Sequence, residues 1–389
     1  MEETEVKPII SCKLTYEKAD KKHEKTTASL FADSLLFSAP GFSSTVRLSR
    51  LSGVSAENYK VFAEDEDGVI VLSMIGHLYE DFAYRFIKSY NEVIFKESLM
   101  KERVHFEAQG QYVSPNGDIS RAAFRICETA LVILPDTHSL VRIPFGMISE
   151  TNITPYRFEI KDRLGRTYVL QKLGHSTDPF LREYKKRLAE LMKQTRERLG
   201  GISPVNDALA LMLMDGMVAG LSDIKAVSPE FADALTAKIA SSDISQEYGY
   251  LMSVSSDLAV GVKRGLMGEL TGESILLLAP VFEKNIMFME SLGDTAAATY
   301  VFKISESGRA SKELWSEFLL SFNYSMLSVN FRREPIYLSD EALNAEKYEQ
   351  YRQALRRVPG LNRLRALFAG RVIHNGFETW KKAMDSYIK

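Results

Sequence analysis

Histidine and cysteine are scarce in this chain of 389 residues, with six of the first and two of the second. The histidines are His23, His77, His105, His138, His175 and His374. No two stand at i, i+3 or i, i+4, and none lies in an H-E-x-x-H pattern, so no metal is expected. There is no G-x-S-x-G for a serine nucleophile, no G-x-x-x-x-G-K-[ST] and no G-x-G-x-x-G. No catalytic, cofactor-binding or metal-binding residue is therefore assigned, and the chain reads as non-enzymatic. Cys12 and Cys127 fall in strand-like runs. They read as small buried hydrophobes of a protein in the reducing cytoplasm. The stretch Ala208–Leu221 is the most apolar helical segment, but Asp215, Gly216 and Gly220 interrupt it. It falls short of the roughly 20 apolar residues of a membrane span. The N-terminus, MEETEVKPII, has no apolar core of a secretory signal. A net charge of −2 gives no overall pull toward nucleic acid or anionic membrane.

What the chain does have is a first half written twice. Leu30–Pro40 (LFADSLLFSAP) lies 95 positions before Arg125–Pro135 (RICETALVILP). The triplets Val46-Arg47-Leu48 and Val141-Arg142-Ile143 follow at the same offset. Val71-Leu72, Gly76-His77 and Phe82 match Val169-Leu170, Gly174-His175 and Phe180 at an offset of 98. A unit of this length suits a small domain and is too long for a solenoid repeat.

Each copy reads as extended runs followed by one helix. In copy one the runs are 8–16, 27–32, 34–39, 44–51, 59–63 and 69–75, with turns at Pro40-Gly41 and Asp65-Glu66-Asp67-Gly68. Phe82, Phe86, Tyr90 and Ile94 then mark an apolar helical stripe. In copy two the turns are Ser114–Gly117 and Asp162–Gly165. Asp178-Pro179 opens the helix, and its stripe is Phe180, Tyr184, Leu188 and Leu191. This order of elements resembles the pleckstrin-homology (PH-like) superfold, a bent β-barrel closed by a C-terminal helix. Neither helix carries the tryptophan usual in PH domains.

Beyond Gly201, helices over 203–242 precede strand-like runs at 249–262, 274–281, 285–290 and 295–304. A helix bearing Leu314, Trp315, Phe318, Leu319 and Phe322 follows. This order suggests a diverged third PH-like unit with a helical insertion. The tail reads as helical, broken at Pro359-Gly360. From Glu346 onward it holds ten Lys or Arg against four Asp or Glu, which leaves −8 on the rest of the chain. The expected architecture is α+β: PH-like domains over 1–100 and 101–200, an α+β domain over 201–340, and a basic helical tail over 341–389.

The PH-like resemblance implies two kinds of site. Members bind peptides or proteins in the groove between helix and strand, flanked here by Val46, Leu48 and Leu51 in copy one and by Val141, Ile143 and Phe145 in copy two. Phosphoinositide-binding members use basic residues between the first two strands. That loop, Glu17–Thr26, holds Lys18, Lys21, Lys22 and Lys25, offset by Glu17, Asp20 and Glu24. In the tail, Arg356, Arg357, Arg363, Arg365 and Arg371 would contact nucleic acid or a membrane surface, or pair with acidic surface of this chain or a partner. His77 and His175 stand at equivalent turns, where a side chain can cap exposed amides. Gly261, Gly265, Gly268 and Gly272 bracket Lys263 and Arg264, and read as a loop or helix end rather than a phosphate cradle. The function expected is a cytoplasmic adaptor or scaffold with a protein partner and no cofactor. The alternative is lipid or nucleic-acid binding through the tail and the lysine loop.

Overall fold

The computed structural model describes residues 7–19, 21–97, 102–255, 257–264, 273–292, 298–328 and 334–389. The protein is mixed α+β, with large antiparallel sheets and several helices. It divides into two compact units. The first holds the chain as far as Ile143, with Ile148–Glu183 and Arg352–Arg357; the second holds Pro144–Met147, Tyr184–Tyr351 and Val358–Lys389.

The first unit contains copy one and nearly all of the sheet of copy two; Pro144 and the helix of copy two from Tyr184 onward belong to the second unit. Copy one comprises β1 (Ile10–Lys18), β2 (Lys21–Leu30), β3 (Ser34–Ala39), β4 (Phe42–Arg47), β5 (Gly53–Glu57), β6 (Lys60–Asp65), β7 (Gly68–Ser73) and helix α1 (Tyr79–Glu97). Copy two comprises β8 (Phe106–Val113), β9 (Ile119–Ile126), β10 (Ala130–Pro135), β11 (Val141–Pro144), β12 (Ile148–Thr154), β13 (Arg157–Asp162), β14 (Thr167–Gln171) and α2 (Thr177–Gly200). The two sheets have the same order, β4-β3-β2-β1-β7-β6-β5 and β11-β10-β9-β8-β14-β13-β12. In each, the first strand is central and the fourth and fifth strands are the two edges. The hairpins turn where the sequence supplies left-handed residues, such as Gly41 at φ +77° between β3 and β4.

Strand pairing corrects the register of the duplication. Ile10 pairs with Leu30, and Phe106 with Ile126, an offset of 96. Val54 pairs with Ala63, and Thr151 with Ile160, an offset of 97. The strand over 53–57 escapes the sequence reading because GVSAE is short and built of small residues.

Core packing follows the apolar stripes. Phe82, Phe86, Ile87 and Tyr90 of α1 are fully buried against Leu14, Leu30, Phe37 and Leu72 of the sheet. Burying each such side chain contributes about 1.5–3 kcal/mol. Cys12 and Cys127 are buried, and burial pushes their thiols up to about 11 and about 12.

The lysine loop expected over Glu17–Thr26 is largely strand. β1 and β2 extend to within two residues of each other, with Glu17 opposite Lys22 and Lys18 opposite Lys21. Two contacts hold this extension. Lys18 pairs with Asp65 at 2.7 Å, and His23 stacks on Phe42 with ring centroids 3.9 Å apart.

The second unit carries helices α3 (Asp207–Met212), α4 (Leu221–Val227), α5 (Pro229–Ala240) and α6 (Ser245–Val254). Its sheet runs in chain order: β15 (Ala219–Gly220), β16 (Ala259–Arg264), β17 (Glu273–Val281), β18 (Ile286–Leu292), β19 (Ala298–Lys303) and β20 (Phe368–Ile373). Helices α7 (Lys312–Ser328), α8 (Glu334–Tyr337), α9 (Asp340–Leu343), α10 (Glu349–Arg357) and α11 (Pro359–Leu367) precede β20, and α12 (Phe377–Ile388) ends the chain. The first and last strands lie at opposite edges of this sheet, so the central first strand of the two copies is missing and a third copy is not seen. The tail is not a separate helical appendage either. β20 pairs with β19, and Trp380 and Met384 are buried in the unit's core. Gly265, Gly268 and Gly272 lie outside the described residues.

Candidate protein-interaction site

An edge strand offers a row of backbone donors and acceptors to any extended segment that can reach it. In copy one that edge is taken. Residues 137–139, between β10 and β11, run antiparallel to β5. Ala56 N–H donates to Thr137 O at 2.8 Å, and Ser139 N–H to Val54 O at 3.1 Å. The Val54 N–H is capped by Ser139 Oγ at 2.9 Å. Copy one thus accepts a short strand from copy two.

Asn91 of α1 clamps the same segment from the other side. Its Nδ2 donates to the carbonyls of Pro135 and His138, both at 3.1 Å. Its Oδ1 accepts the Leu140 N–H at 2.8 Å. Asn91 is buried, so these bonds satisfy an amide that water does not reach. Arg125 reinforces the seam, with bonds to Glu92 at 2.5 and 3.2 Å and its guanidinium over the Phe95 ring at 4.9 Å.

The equivalent edge of copy two is β12. The offset of 97 maps Val54 to Thr151 and Ala56 to Ile153. Residues 149–154 are all exposed, and Ile153 keeps 40% of its surface in solvent. Among the described residues, no backbone group outside the sheet hydrogen-bonds to Thr151 or Ile153. One face of β12 carries Thr151 and Ile153, opposite the buried Ile160 and Phe158 of β13. The other face is polar, with Glu150, Asn152 and Thr154 opposite Lys161, Glu159 and Arg157.

A cleft of about 610 Å³ opens along the seam, lined by Glu57, Tyr112, Asp118, His138, Arg166 and Tyr168 among others. Burial holds the His138 imidazole below its ordinary range, against the opposing pull of Asp118. Its Nδ1 lies 2.9 Å from Thr137 Oγ1.

The residues singled out in the sequence are placed as follows. Of the expected groove residues, Leu48, Leu51, Ile143 and Phe145 are buried and only Val46 and Val141 are half-buried. Leu48 and Leu51 belong to the core of copy one. Phe145 packs edge-on against Tyr184 at 5.6 Å. Those four side chains are buried and do not line an open groove. Lys21, Lys22 and Lys25 are exposed on β2, with Lys22 3.5 Å from Glu24, and Lys18 is held by Asp65 and Asp67.

The tail arginines are engaged within the chain. Arg357 donates to the carbonyls of Ser49 and Leu51. Arg356 pairs with Glu66 at 3.2 Å and Arg365 with Asp340 at 2.6 Å. Arg363 donates to Ser321 Oγ at 3.3 Å, and Arg371 lies 4.8 Å over the Tyr337 ring. His77 and His175 are exposed, each inside a short 3-10 turn that precedes the helix of its copy.

Sequence reasoning missed a buried group in the second unit. His374 lies 3.1 Å from Glu290 and 3.9 Å from Glu247. Thr299 donates to Glu290 at 2.6 Å and accepts from Trp380 Nε1 at 2.8 Å. The partners come from β18, β19, α6 and the C-terminal segment, so spacing in sequence carries no trace of them. Glu290 and Thr299 are fully buried, which closes this group to a substrate.

No protein-family model matches the chain, and no curated protein matches it. Among solved structures it is similar to the C-terminal domain of an unknown protein from Leishmania infantum, at 16% identity over 25% of this chain and 97% of that one. The TM-score is 0.21, too low to carry an argument about the fold.

Proposed function

We propose that this protein is a non-enzymatic adaptor or scaffold, built on two PH-like domains, that takes an extended segment of a partner protein on the edge of β12. The PH-like reading is supported by the shared strand order and by the helix that follows each sheet. One observation carries the function: β5 already accepts an extended segment from within the chain, while the outward backbone groups of the equivalent β12 meet no other backbone group among the described residues. Strand addition supplies main-chain hydrogen bonds for affinity and side-chain alternation for specificity. The closure of β5 leaves β12 as the open edge of the pair. The alternative, lipid or nucleic-acid binding through the tail and the lysines of β1 and β2, draws less support, because Arg356, Arg357 and Arg365 are committed to carbonyls and carboxylates of the chain itself.

Capture of the intact protein from cells at low and high salt tests the choice. A protein retained in stoichiometric amount at high salt supports the adaptor. Nucleic acid or lipid alone, lost as salt rises, supports the tail and overturns the adaptor.

A further inference from the structure

The tip of the β5–β6 hairpin presents a second surface, apart from the β12 edge. Asn58 and Tyr59 form its two-residue turn, at φ +49° and +59°. Such turns favour glycine or asparagine at both positions, because a side chain there crowds the backbone. Tyr59 occupies one of them while leaving 78% of its surface in solvent. Met74 repeats the anomaly, at φ +56° and 82% exposed. A bulky residue in a left-handed conformation costs of order 1 kcal/mol or more, and neither of these recovers it by burial.

Both residues stand at the same end of the β6–β7 pair. Val61 pairs with Leu72, so Tyr59 and Met74 leave the ends of β6 and β7 together. Tyr79, at the start of α1, completes the patch. Its ring centroid is 5.4 Å from that of Tyr59, and its hydroxyl donates to Lys60 O at 3.3 Å. Two carboxylates border it, Glu57 and Glu80. Both are exposed, and neither forms an ion pair among the described residues. Glu57 pairs with Lys60 across the hairpin, and Glu80 follows Tyr79 in α1; burial, Glu57, Tyr59 and Glu80 together hold the Tyr79 phenol above its ordinary range. Lys60 is the neighbouring cation on the hairpin.

Copy two is an internal comparison. Its hairpin tip keeps an exposed tyrosine, Tyr156, at 84%. The equivalents of Met74, Tyr79 and Glu57 are Lys172, Thr177 and Thr154. The second ring, the thioether and one acid are therefore specific to copy one.

We infer that the Tyr59–Met74–Tyr79 patch of copy one binds a basic, apolar-flanked segment of a partner protein, seating a lysine side chain on the tyrosine faces between Glu57 and Glu80. Ring faces attract an ammonium, and the carboxylates add charge complementarity while repelling phosphate-bearing membranes and nucleic acids. The lysine stem lies along Met74.

The test uses a fluorescein-labelled peptide of alternating lysine and leucine, titrated with the full-length protein at low and moderate salt. Saturable binding is expected, weakened by salt and absent for the matching glutamate–leucine peptide. Tyr59→Gly relieves the turn, so the variant is expected to be at least as stable as the parent and to bind about tenfold more weakly. Tyr156→Ala leaves binding unchanged. Equal losses in the Tyr59 and Tyr156 variants, or full binding by Tyr59→Gly, overturn the assignment. Self-association abolished by Tyr59→Gly, with no peptide bound, overturns it in favour of a second copy of this chain. Tighter binding to anionic vesicles than to the peptide overturns it in favour of a membrane.

Discussion

Asn91 of α1 accepts the backbone N–H of Leu140 at 2.8 Å, and this bond ties the helix of copy one to the segment that copy two lends it. Leu140 is in turn packed against the cores of both copies. The seam is therefore made of polar bonds between backbone and one buried amide, sealed by one leucine.

Replacing Asn91 by alanine strands two carbonyls and one N–H in a buried place. The expected cost is about 3 kcal/mol. Chemical denaturation checks it: the midpoint falls, and the two copies unfold together in the parent protein. A loss below about 0.5 kcal/mol would show that the seam does not bear on stability.

Part of this was legible in the sequence. The helix stripe Ala83, Ile87 and Asn91 runs at intervals of four, and a polar residue on an apolar stripe signals a buried partner. The partner itself was not legible, because backbone carbonyls carry no sequence signature. The burial of four of the six expected groove residues was hidden for a related reason. Leu48 and Phe145 are apolar beside a helix, and nothing in composition separates a side chain that lines a groove from one that fills the core under it. The duplication was visible, yet its register drifted from 96 to 98 through loop insertions that only strand pairing locates. Ile153, the centre of the candidate edge, reads in sequence as an ordinary strand residue.

The sequence offers Arg357 either to an anionic ligand or to acidic surface of this chain or a partner, and the structure places it against the carbonyl oxygens of Ser49 and Leu51. Burial lowers its ionisation from the usual guanidinium value, against the opposing influence of Tyr90 and Glu97. Arg357→Ala leaves the Ser49 and Leu51 carbonyls without this donor, and should cost about 2 kcal/mol. Arg371→Ala, at an exposed cation–ring contact, should cost less than about 1 kcal/mol. Thermal unfolding of the two variants in parallel compares them; equal effects would contradict the structural role given to Arg357.

His374 supplies a pH signature. Burial alone would lower its imidazole, but the hydrogen bond and charge of Glu290, with Glu247, outweigh it and hold it above the ordinary range. A group raised in the folded state stabilises fully below its unfolded value, near about 6.5, and loses that contribution as pH rises through the folded value. Stability should therefore decline from about pH 6.5 upward, through the folded-state titration of His374. His374→Gln should flatten that slope. Urea midpoints across this range check it, and an unchanged slope in the variant would remove His374 as its source.

The central claim is that β12 is the open counterpart of β5. The most direct measurement is capture of partner proteins by the full-length chain with Ile153→Pro, set beside the parent. Proline removes the outward donor equivalent to that of Ala56 and spares the pairing with β13, so stability should change by about 1 kcal/mol or less. The account predicts a folded protein that no longer retains its high-salt partner. A folded Ile153→Pro protein that retains the partner in full would contradict it.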